Sequence, residues 1–464
     1  MPTWRRRARP EGEAPLVRTW IRKPLAAWTG CDADASGGLV VEGADIVECL
    51  TAGAEPAATC DQVFDASDCV LVPGLVNCHH HFYQTLTRAF PAALNKELFP
   101  WLQALYPVWA GLDPRAVELS TRLALAELML SGCTLASDHH YLFTDAIDDA
   151  IDIQAGVARE LGVRVVLTRG SMSLGESAGG LPPDRVVQSP EHILAESERL
   201  ISRYHEAGPG AMLQIALAPC SPFSVTDDLM RDSAALARRH NVRLHTHLAE
   251  TQDENDFCLS FVGKRPLDYL EDLGWVADDV WLAHGIHFED AEVARLGAAG
   301  VGISHCPSSN MVLASGTCRV RDLEAAGCPV GLGVDGSASN DSSNMIGEVR
   351  QAFLLQRLRD GSAQVTHDDA LRWGTAGGAR LFGRDELGTL APGQAADFGL
   401  YALDELRFSG AGDPVAALVL CGAHRVQHLM IAGEWRVRDG AIPELDLDAL
   451  RHEHGAAAQR LAAA

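Results

Sequence analysis

The alternation of short apolar runs with longer helical segments constrains the fold of this chain more than any other feature. Each run is followed by polar or glycine-rich residues and then by a helical pattern. Continuous apolar runs of this kind are typical of parallel strands that are covered on both faces. Eight strand–helix units predict an α/β protein with a closed (β/α)₈ or TIM barrel. The runs are LVPGLVNCHHH, GCTLASDHH, VRVVLTRGS, MLQIALAPCS, VRLHTHLAE, VWLAHGIH, VGISHCPSSN and PVGLGVDGSAS.

The segments on either side of the barrel have a different pattern, with short strand-like runs separated by turn signals. Neither segment has enough strands for a stable sheet by itself, so we expect both to form one small β-sandwich beside the barrel. The predicted organisation is a mobile tail at 1–18, sandwich strands at 19–72, the metal-dependent barrel at 73–386, further sandwich strands at 387–445, and a C-terminal helix or tail at 446–464.

Composition limits the partners of the protein. The net charge of −24 argues against nucleic acid or an anionic membrane surface. There is no apolar run of membrane-spanning length, and the basic N-terminus lacks the apolar stretch of a secretory signal. The 12 cysteines show no CxxC pair and no disulfide-like spacing, which favours a reducing cytoplasm. We therefore expect a cytoplasmic protein that acts on a small molecule. As a separate prediction, we expect it to be a homo-oligomer.

Three consecutive histidines end the first predicted strand. In a barrel of this type the chemistry lies at the C-terminal ends of the strands. Side chains alternate along a strand, so His79 and His81 share one face while His80 points away. Two imidazoles spaced in this way can bind one metal ion.

Other strand ends carry matching groups. The fifth run ends with His245 and His247 on one face and Glu250 in the following loop, the sixth ends at His284, and the eighth ends at Asp335. Each group alone has an ordinary explanation; the aspartate, for example, could be only a turn or helix-cap residue. Their combination at the strand ends of one barrel favours three neutral imidazoles and one carboxylate around a metal, with a position left for water.

The donor types predict the identity of the metal ion, and the positions of the lysines predict the number of ions. Imidazole and carboxylate ligands without thiolate suit zinc, with iron or manganese left open. A second metal would usually need a bridging group such as a carboxylated lysine. The only lysines are Lys23, Lys96 and Lys264, and none lies at the end of a predicted barrel strand. We therefore expect one divalent metal ion per chain.

Several of these motifs resemble those of a known superfamily. PGLVNCHHH, HTHLAE, LAHGIH, SHCPSSNM and GVDGSASND resemble the amidohydrolase superfamily, in its branch of purine, pyrimidine and triazine deaminases and hydrolases. GTLAPGQAADFGL is similar to the C-terminal sandwich signature of that branch, so the resemblance extends from about residue 19 to residue 443. HHHFYQTLTRAF, SDHHYLF, TRGSMSLGES and APCSPFSVT are similar to segments of bacterial deaminases that act on 8-oxoguanine.

The resemblance implies a role for each matching residue. His79, His81, His247 and Asp335 match the metal ligands of the family, and Glu250 matches its proton shuttle. Asp335 is also implied to accept a proton from water during the reaction. These residues would form the catalytic centre of a metal-dependent hydrolase.

Other residues match positions near the substrate. His284 matches a histidine that helps to hold the catalytic water, and Gln84 matches a glutamine that binds the purine edge in related deaminases. The further candidates for contact with the substrate ring are Tyr141, Arg169, Cys220 and Phe223. For the aromatic residues Tyr141 and Phe223, packing at the barrel rim is an equally good explanation.

The function that the resemblance implies is zinc-dependent hydrolytic deamination of 8-oxoguanine to urate and ammonia. APCSPFS stands where guanine deaminases have an Arg-Phe pair, which argues against guanine as the main substrate. The alternatives are deamination of guanine or of another purine or pyrimidine, or hydrolysis of a triazine or an adenosine derivative on the same scaffold. A non-catalytic scaffold protein is disfavoured because all six metal and proton-transfer positions are present. The H-x-E and P-C-x-x-C signature of the base-editing deaminases is absent.

Overall fold

The structure, a computed structural model, describes residues 16–463, and its largest element is a closed barrel of eight parallel strands. The predicted barrel is confirmed, and each of the eight predicted runs supplies one strand. The eighth strand closes the barrel by pairing with the first, with Leu332 opposite Asn77. The strands, numbered here first to eighth, are Leu75–Asn77, Cys133–His140, Arg164–Ser171, Leu213–Pro219, Leu244–Leu248, Val280–His284, Gly302–His305 and Val330–Leu332.

A short ladder continues the pairing of the first and eighth strands beyond the barrel. Asp335–Gly336 pairs in parallel with His80–His81, with Asp335 opposite His80. The Nδ1 atom of His80 accepts a hydrogen bond from the backbone N–H of His81 at 2.8 Å. This ladder therefore brings the carboxylate after the eighth strand next to the histidines after the first strand.

Helices follow the barrel strands. The helix Pro114–Leu130 has a clear N-terminal cap, because Asp113 accepts a hydrogen bond from the N–H of Ala116 at 2.7 Å and Pro114 is the first helical residue. The α-helices are Leu98–Trp109, Pro114–Leu130, Ala150–Leu161, Pro190–Tyr204, Asp227–His240, Gln252–Phe261, Pro266–Asp272, Asp290–Ala299, Pro307–Val312, Val320–Ala326, Met345–Asp360, His367–Arg372, Gly378–Leu381, Pro414–Ala417 and Leu447–Ala463. Short 3₁₀ helices are Phe82–Thr87, Pro91–Ala93, Glu176–Ala178, Asp184–Val186 and Leu406–Phe408, and π-helical turns are Trp373–Gly377 and Leu418–Gly422.

The segments that flank the barrel form two sheets that share one apolar core. Strand Phe398–Ala402 pairs antiparallel with Cys69–Pro73, which joins the C-terminal segment to the N-terminal segment. Leu39 of one sheet and Leu400 of the other lie in the same buried cluster. One sheet contains Arg18–Arg22, Gly38–Glu42, Asp45–Leu50 and Gln62–Asp65; the other contains Ala26–Ala27, Cys69–Pro73, Phe398–Ala402, His428–Ile431 and Glu434–Val437.

Residues 16–463 include all of the cysteines but only a small part of the predicted N-terminal tail. Most of the predicted tail, residues 1–15, lies outside the described residues, and the first strand of the sandwich begins at Arg18. No helix within residues 16–463 combines the length and the apolar character that crossing a membrane requires. The 12 cysteines all lie in this range and are free thiols.

A buried ion pair joins the barrel to the sandwich. Arg164, at the start of the third strand, donates from Nε and Nη2 to Asp397 at 2.8 and 3.0 Å. Asp397 also accepts a hydrogen bond from the N–H of Ala432 in the sandwich at 2.8 Å. The two side chains are only 1% and 2% exposed, so neither charge has water as an alternative partner.

Removal of one partner of this pair is expected to destabilise the whole chain. We expect Asp397→Ala to lower the free energy of unfolding by about 3–5 kcal/mol, because it leaves a buried guanidinium without its counter-charge. Urea denaturation followed by circular dichroism measures the change. The control is Arg451→Ala, which removes the exposed contact with Asp448 and is expected to cost less than about 1 kcal/mol. Equal effects of the two substitutions would contradict the role assigned to the buried pair.

Candidate active site

The predicted ligand side chains converge at the C-terminal end of the barrel. The Nε2 atoms of His79 and His81 lie 3.2 and 3.3 Å from Oδ1 of Asp335. Nε2 of His247 lies 3.2 Å from Nε2 of His81. All four side chains are buried or nearly so. Strands that are distant in sequence therefore present four donor atoms to one small volume.

Hydrogen bonds to backbone carbonyls determine which ring nitrogen carries the hydrogen in two of the histidines. Nδ1 of His81 lies 2.7 Å from the carbonyl oxygen of His139, and Nδ1 of His247 lies 2.7 Å from that of Cys220. A carbonyl oxygen only accepts hydrogen bonds, so each Nδ1 must donate. In the neutral rings both Nε2 atoms therefore keep a lone pair that points at the cluster.

A relay of two side chains orients the third imidazole. Nδ1 of His245 lies 2.8 Å from the carbonyl oxygen of Trp281 and must donate to it. Nε2 of His245 is then an acceptor, and it lies 2.8 Å from Nδ1 of His79. His79 consequently donates through Nδ1 and keeps its lone pair on Nε2. His245 therefore provides the hydrogen-bond partner for Nδ1 of His79, the ring nitrogen that does not face the cluster. Histidines that bind a metal generally need such a partner for their second nitrogen.

These donors fit a divalent metal ion. Burial lowers the pKa of His79 well below its usual value and lowers that of His247 to about 3, so both rings are neutral near pH 7. Lone pairs of neutral imidazoles and a carboxylate oxygen would repel one another at these separations unless a cation lay between them. His79, His81, His247 and Asp335 would hold such a cation, and their nitrogen and oxygen donors suit zinc.

The backbone at two strand ends is strained. His284 has φ +74° and Asp335 has φ +61°, both in the left-handed region that residues other than glycine rarely adopt. Such a conformation costs on the order of 1–3 kcal/mol and persists only where surrounding contacts enforce it. One such contact is Ser309 Oγ, which donates to Oδ2 of Asp335 at 2.6 Å. It holds the carboxylate with Oδ1 directed at the histidines.

Glu250 and His284 face each other beside the cluster. Oε2 of Glu250 lies 3.4 Å from Nε2 of His284. The side-chain amide of Asn310 donates to Nδ1 of His284 at 3.0 Å, which leaves the ring hydrogen on Nε2, toward the carboxyl group. Burial, with the charge of Asp335, raises the pKa of Glu250 well above its usual value. A carboxyl group of this kind can take up and return a proton near neutral pH.

A second buried carboxyl group holds the turn that carries Glu250. Glu254 accepts hydrogen bonds from the backbone N–H groups of Ala249 at 2.8 Å and of Glu250 at 3.1 Å. Ala249 has φ +54°, so this turn also needs external support. Burial raises the pKa of Glu254 to about 7. The sequence reasoning missed this residue, although HLAETQDE places it one helical turn after Glu250.

A cavity of about 390 Å³ opens onto the cluster. The helix Leu98–Trp109, between the first and second strands, forms much of its wall. Of the predicted substrate contacts, Gln84, Tyr141, Cys220 and Phe223 line this cavity. The full lining consists of His81, Gln84, Leu98, Trp101, Leu102, Tyr106, Tyr141, Cys220, Phe223, His247, Glu250, His284, Leu313, Asp335 and Ser339.

Arg169, the remaining predicted substrate contact, lies outside the lining of this cavity. Its guanidinium group lies 3.8 Å from the centre of the Phe143 ring, and Nη2 donates to Oε1 of Gln188 at 2.6 Å. The Arg169 side chain thus packs against Phe143 and Gln188 and not against the cavity. Its contacts are those of a structural residue.

Sequence reasoning also missed the apolar wall and one histidine. The run ELFPWLQALYPVW carries the signal for the wall, because it is rich in aromatic and leucine residues and precedes the helix that starts at Pro114. His139 at the end of the second strand stacks on His247 with ring centres 4.7 Å apart. Its Nε2 lies 3.0 Å from the carbonyl oxygen of Ala218. It adds a further imidazole to the edge of the cluster.

Comparison with known proteins agrees with this architecture. The model of the Amidohydrolase family matches residues 70–436, which is most of the chain. The protein therefore belongs to the amidohydrolase family.

Two similar proteins and one solved structure are close enough to inform function. 8-oxoguanine deaminase of Pseudomonas aeruginosa is 63% identical over 448 residues, which cover 97% of this chain and 100% of that protein. Isoxanthopterin deaminase from an unknown prokaryotic organism is 37% identical over 461 residues, which cover 94% of this chain and 95% of that protein. The crystal structure of atrazine chlorohydrolase TrzN from Arthrobacter aurescens TC1, complexed with zinc, has a TM-score of 0.89 at 30% identity and covers 95% of this chain and 100% of that chain.

Proposed function

We propose that this protein is a zinc-dependent aminohydrolase that converts 8-oxoguanine and water to urate and ammonia. The observation that carries the substrate is the 63% identity to 8-oxoguanine deaminase over 97% of the chain. The chemistry is supported by the converging donors of His79, His81, His247 and Asp335 beside a buried carboxyl group. Zinc is supported by these donors and by the zinc in the similar TrzN structure.

Glu250, His284 and Asp335 have different roles in the proposed reaction. When bound, a divalent cation lowers the pKa of water from about 15.7 towards about 7. Glu250 takes the proton that water releases as its oxygen attacks C2 of the purine, and delivers it to the adjacent ring nitrogen. His284 donates from Nε2 and holds the attacking water in place. Asp335 accepts the second proton of that water and returns it to the amino group, so that ammonia leaves as the C2 carbonyl forms.

The cavity provides the environment that this reaction needs. Leu98, Leu102 and Leu313 form apolar walls, and the aromatic side chain of Phe223 belongs to the same lining. The polar side chains of the lining that are not assigned to the metal or to proton transfer can influence which ring is bound. They are Gln84, Trp101, Tyr106, Tyr141, Cys220 and Ser339. The exclusion of bulk water strengthens the electrostatic interactions of Glu250 with the reacting atoms.

The substrate proposal predicts an order of reactivity. We expect kcat/KM for 8-oxoguanine to exceed that for guanine by about ten- to a hundredfold, because a site shaped for the 8-oxo ring leaves buried polar groups unpaired when guanine binds. Ammonia release from 8-oxoguanine, guanine, isoxanthopterin, isocytosine and a triazine, measured side by side with zinc-loaded protein, gives this order. A highest kcat/KM for any other member of the series would contradict the proposed substrate.

The cellular setting is also a proposal. A cytoplasmic location is supported by the 12 free thiols, since a reducing compartment preserves them. The absence of nucleic acid among the partners is supported by the net charge of −24. The homo-oligomeric state stays a prediction, which light scattering coupled to size-exclusion chromatography would test.

A further inference from the structure

The polar side chains of the cavity fall into two groups, according to whether they already have partners. Trp101 Nε1 donates to the carbonyl oxygen of Ala338 at 3.2 Å. Ser339 bonds with Ser309 at 2.8 Å. These groups are committed to the protein and are not free to recognise a substrate.

Two polar atoms of the lining are buried without a partner. They are Oε1 of Gln84 and the hydroxyl oxygen of Tyr106, and neither has a hydrogen-bond partner among residues 16–463. Both residues are about 1% exposed. Buried polar groups are nearly always paired, so an unpaired group that lines a cavity indicates that the ligand supplies the partner.

Gln84 lies at the metal end of the cavity. A Cβ atom added to Gly336 would be 1.8 Å from Oε1 of Gln84, and Gly336 directly follows Asp335. Tyr141 is at the same end, because its ring meets that of His81 edge-on with centres 5.0 Å apart. These two side chains therefore face the part of the substrate that reacts.

Tyr106 lies farther from the metal-binding histidines than Tyr141 does. It belongs to the helix Leu98–Trp109, which lines the cavity, and among residues 16–463 its ring contacts Trp109 at 6.0 Å and no histidine of the cluster, whereas the ring of Tyr141 contacts His81. A purine whose C2 is held beside Glu250 extends its five-membered ring away from the metal end. The hydroxyl group of Tyr106 is then the unpaired donor available to that ring.

We infer that the hydroxyl group of Tyr106 donates a hydrogen bond to the carbonyl oxygen on C8 and thereby sets the preference for 8-oxoguanine over guanine. This inference rests on the proposed function. At N7 a hydroxyl group could not discriminate, because it can donate to the bare N7 of guanine or accept from the N7–H of 8-oxoguanine. At C8 it discriminates, since guanine has only a C–H there. Burial raises the pKa of Tyr106 well above its usual value, which keeps the donor hydrogen in place.

The test is Tyr106→Phe, assayed with 8-oxoguanine and guanine on zinc-loaded protein. We expect kcat/KM for 8-oxoguanine to fall about ten- to a hundredfold and that for guanine to stay within about threefold, so that the preference collapses. An unchanged ratio of the two constants would overturn the inference while leaving the proposed function intact. A wild-type protein without a preference for 8-oxoguanine would overturn both.

Two comparison variants distinguish recognition of the C8 carbonyl from two other effects. These effects are a general loss of stability and a loss of binding that is common to both purines. Tyr204→Phe removes a hydroxyl group that bonds Asp152 on an outer helix and should change neither constant. Gln84→Ala should lower both constants alike, because the edge it faces is common to the two purines.

Equilibrium binding of the products urate and xanthine gives a readout that does not depend on turnover. Tyr106→Phe should weaken urate about ten- to a hundredfold and leave xanthine unchanged. Equal weakening of the two products would show that the substitution disturbs the cavity as a whole, and would contradict the inference.

Discussion

His81→Ala is expected to lose its bound metal and its hydrolase activity together, whereas His80→Ala keeps both. Nε2 of His81 lies 3.3 Å from Asp335 and 3.2 Å from His247, so its removal takes one donor out of the cluster. Removal of a group that only supports a ligand already costs about 10–100-fold in metal affinity, and loss of a ligand itself should cost more. The same loss is expected for His79→Ala.

The two neighbouring histidines form a matched pair for this experiment. His80 is as buried as His81, but its Nδ1 faces the backbone N–H of His81 and its ring lies 5.0 Å from that of Phe82. Metal content by plasma mass spectrometry, with activity measured before and after zinc is added back, gives the comparison. Full metal occupancy in His81→Ala, or loss of metal only in His80→Ala, would show that the ligand set is wrong.

Glu250→Gln is expected to retain metal and to bind the purine, yet to lose turnover by about 10²–10⁴-fold. Glutamine has the size of glutamate and keeps an oxygen near His284, but an amide cannot carry a proton between water and the ring nitrogen. Because the substitution removes an interaction of the transition state and not of the bound substrate, kcat and kcat/KM should fall by similar factors.

A glutamate-to-glutamine substitution at a remote site controls for the loss of one negative charge. Glu271 is an exposed partner of Arg295, and Glu271→Gln should leave turnover unchanged. Single-turnover kinetics, zinc content and urate binding distinguish loss of chemistry from loss of the site. Near-normal turnover of Glu250→Gln at neutral pH would mean that another group transfers the proton.

Local sequence patterns were sufficient to predict the architecture. Each barrel strand is a short apolar run bounded by turn residues, and both features depend only on neighbours in sequence. The eight runs therefore mark the eight strands, and Asp113 and Pro114 mark the start of a barrel helix. The rule that catalytic groups lie at the C-terminal ends of barrel strands then selected the residues around the cluster.

The tertiary structure decided which of those residues share a cavity and how each one is oriented. The relay from Trp281 through His245 to His79 joins residues that are far apart in sequence, and no local pattern records it. Arg169 occupies a strand position that suited substrate binding, but the packing of Phe143 and Gln188 around it places it elsewhere.

By itself, the sequence determined the barrel, the types of donor atoms and their positions at strand ends, because side-chain alternation and apolar periodicity are properties of short segments. Only the tertiary structure decided that Glu254 supports the turn of Glu250 and that Tyr106 presents an unpaired hydroxyl group to the cavity. Whether a polar side chain is paired depends on which distant segments approach it when the barrel closes, and that approach is a property of the folded chain as a whole.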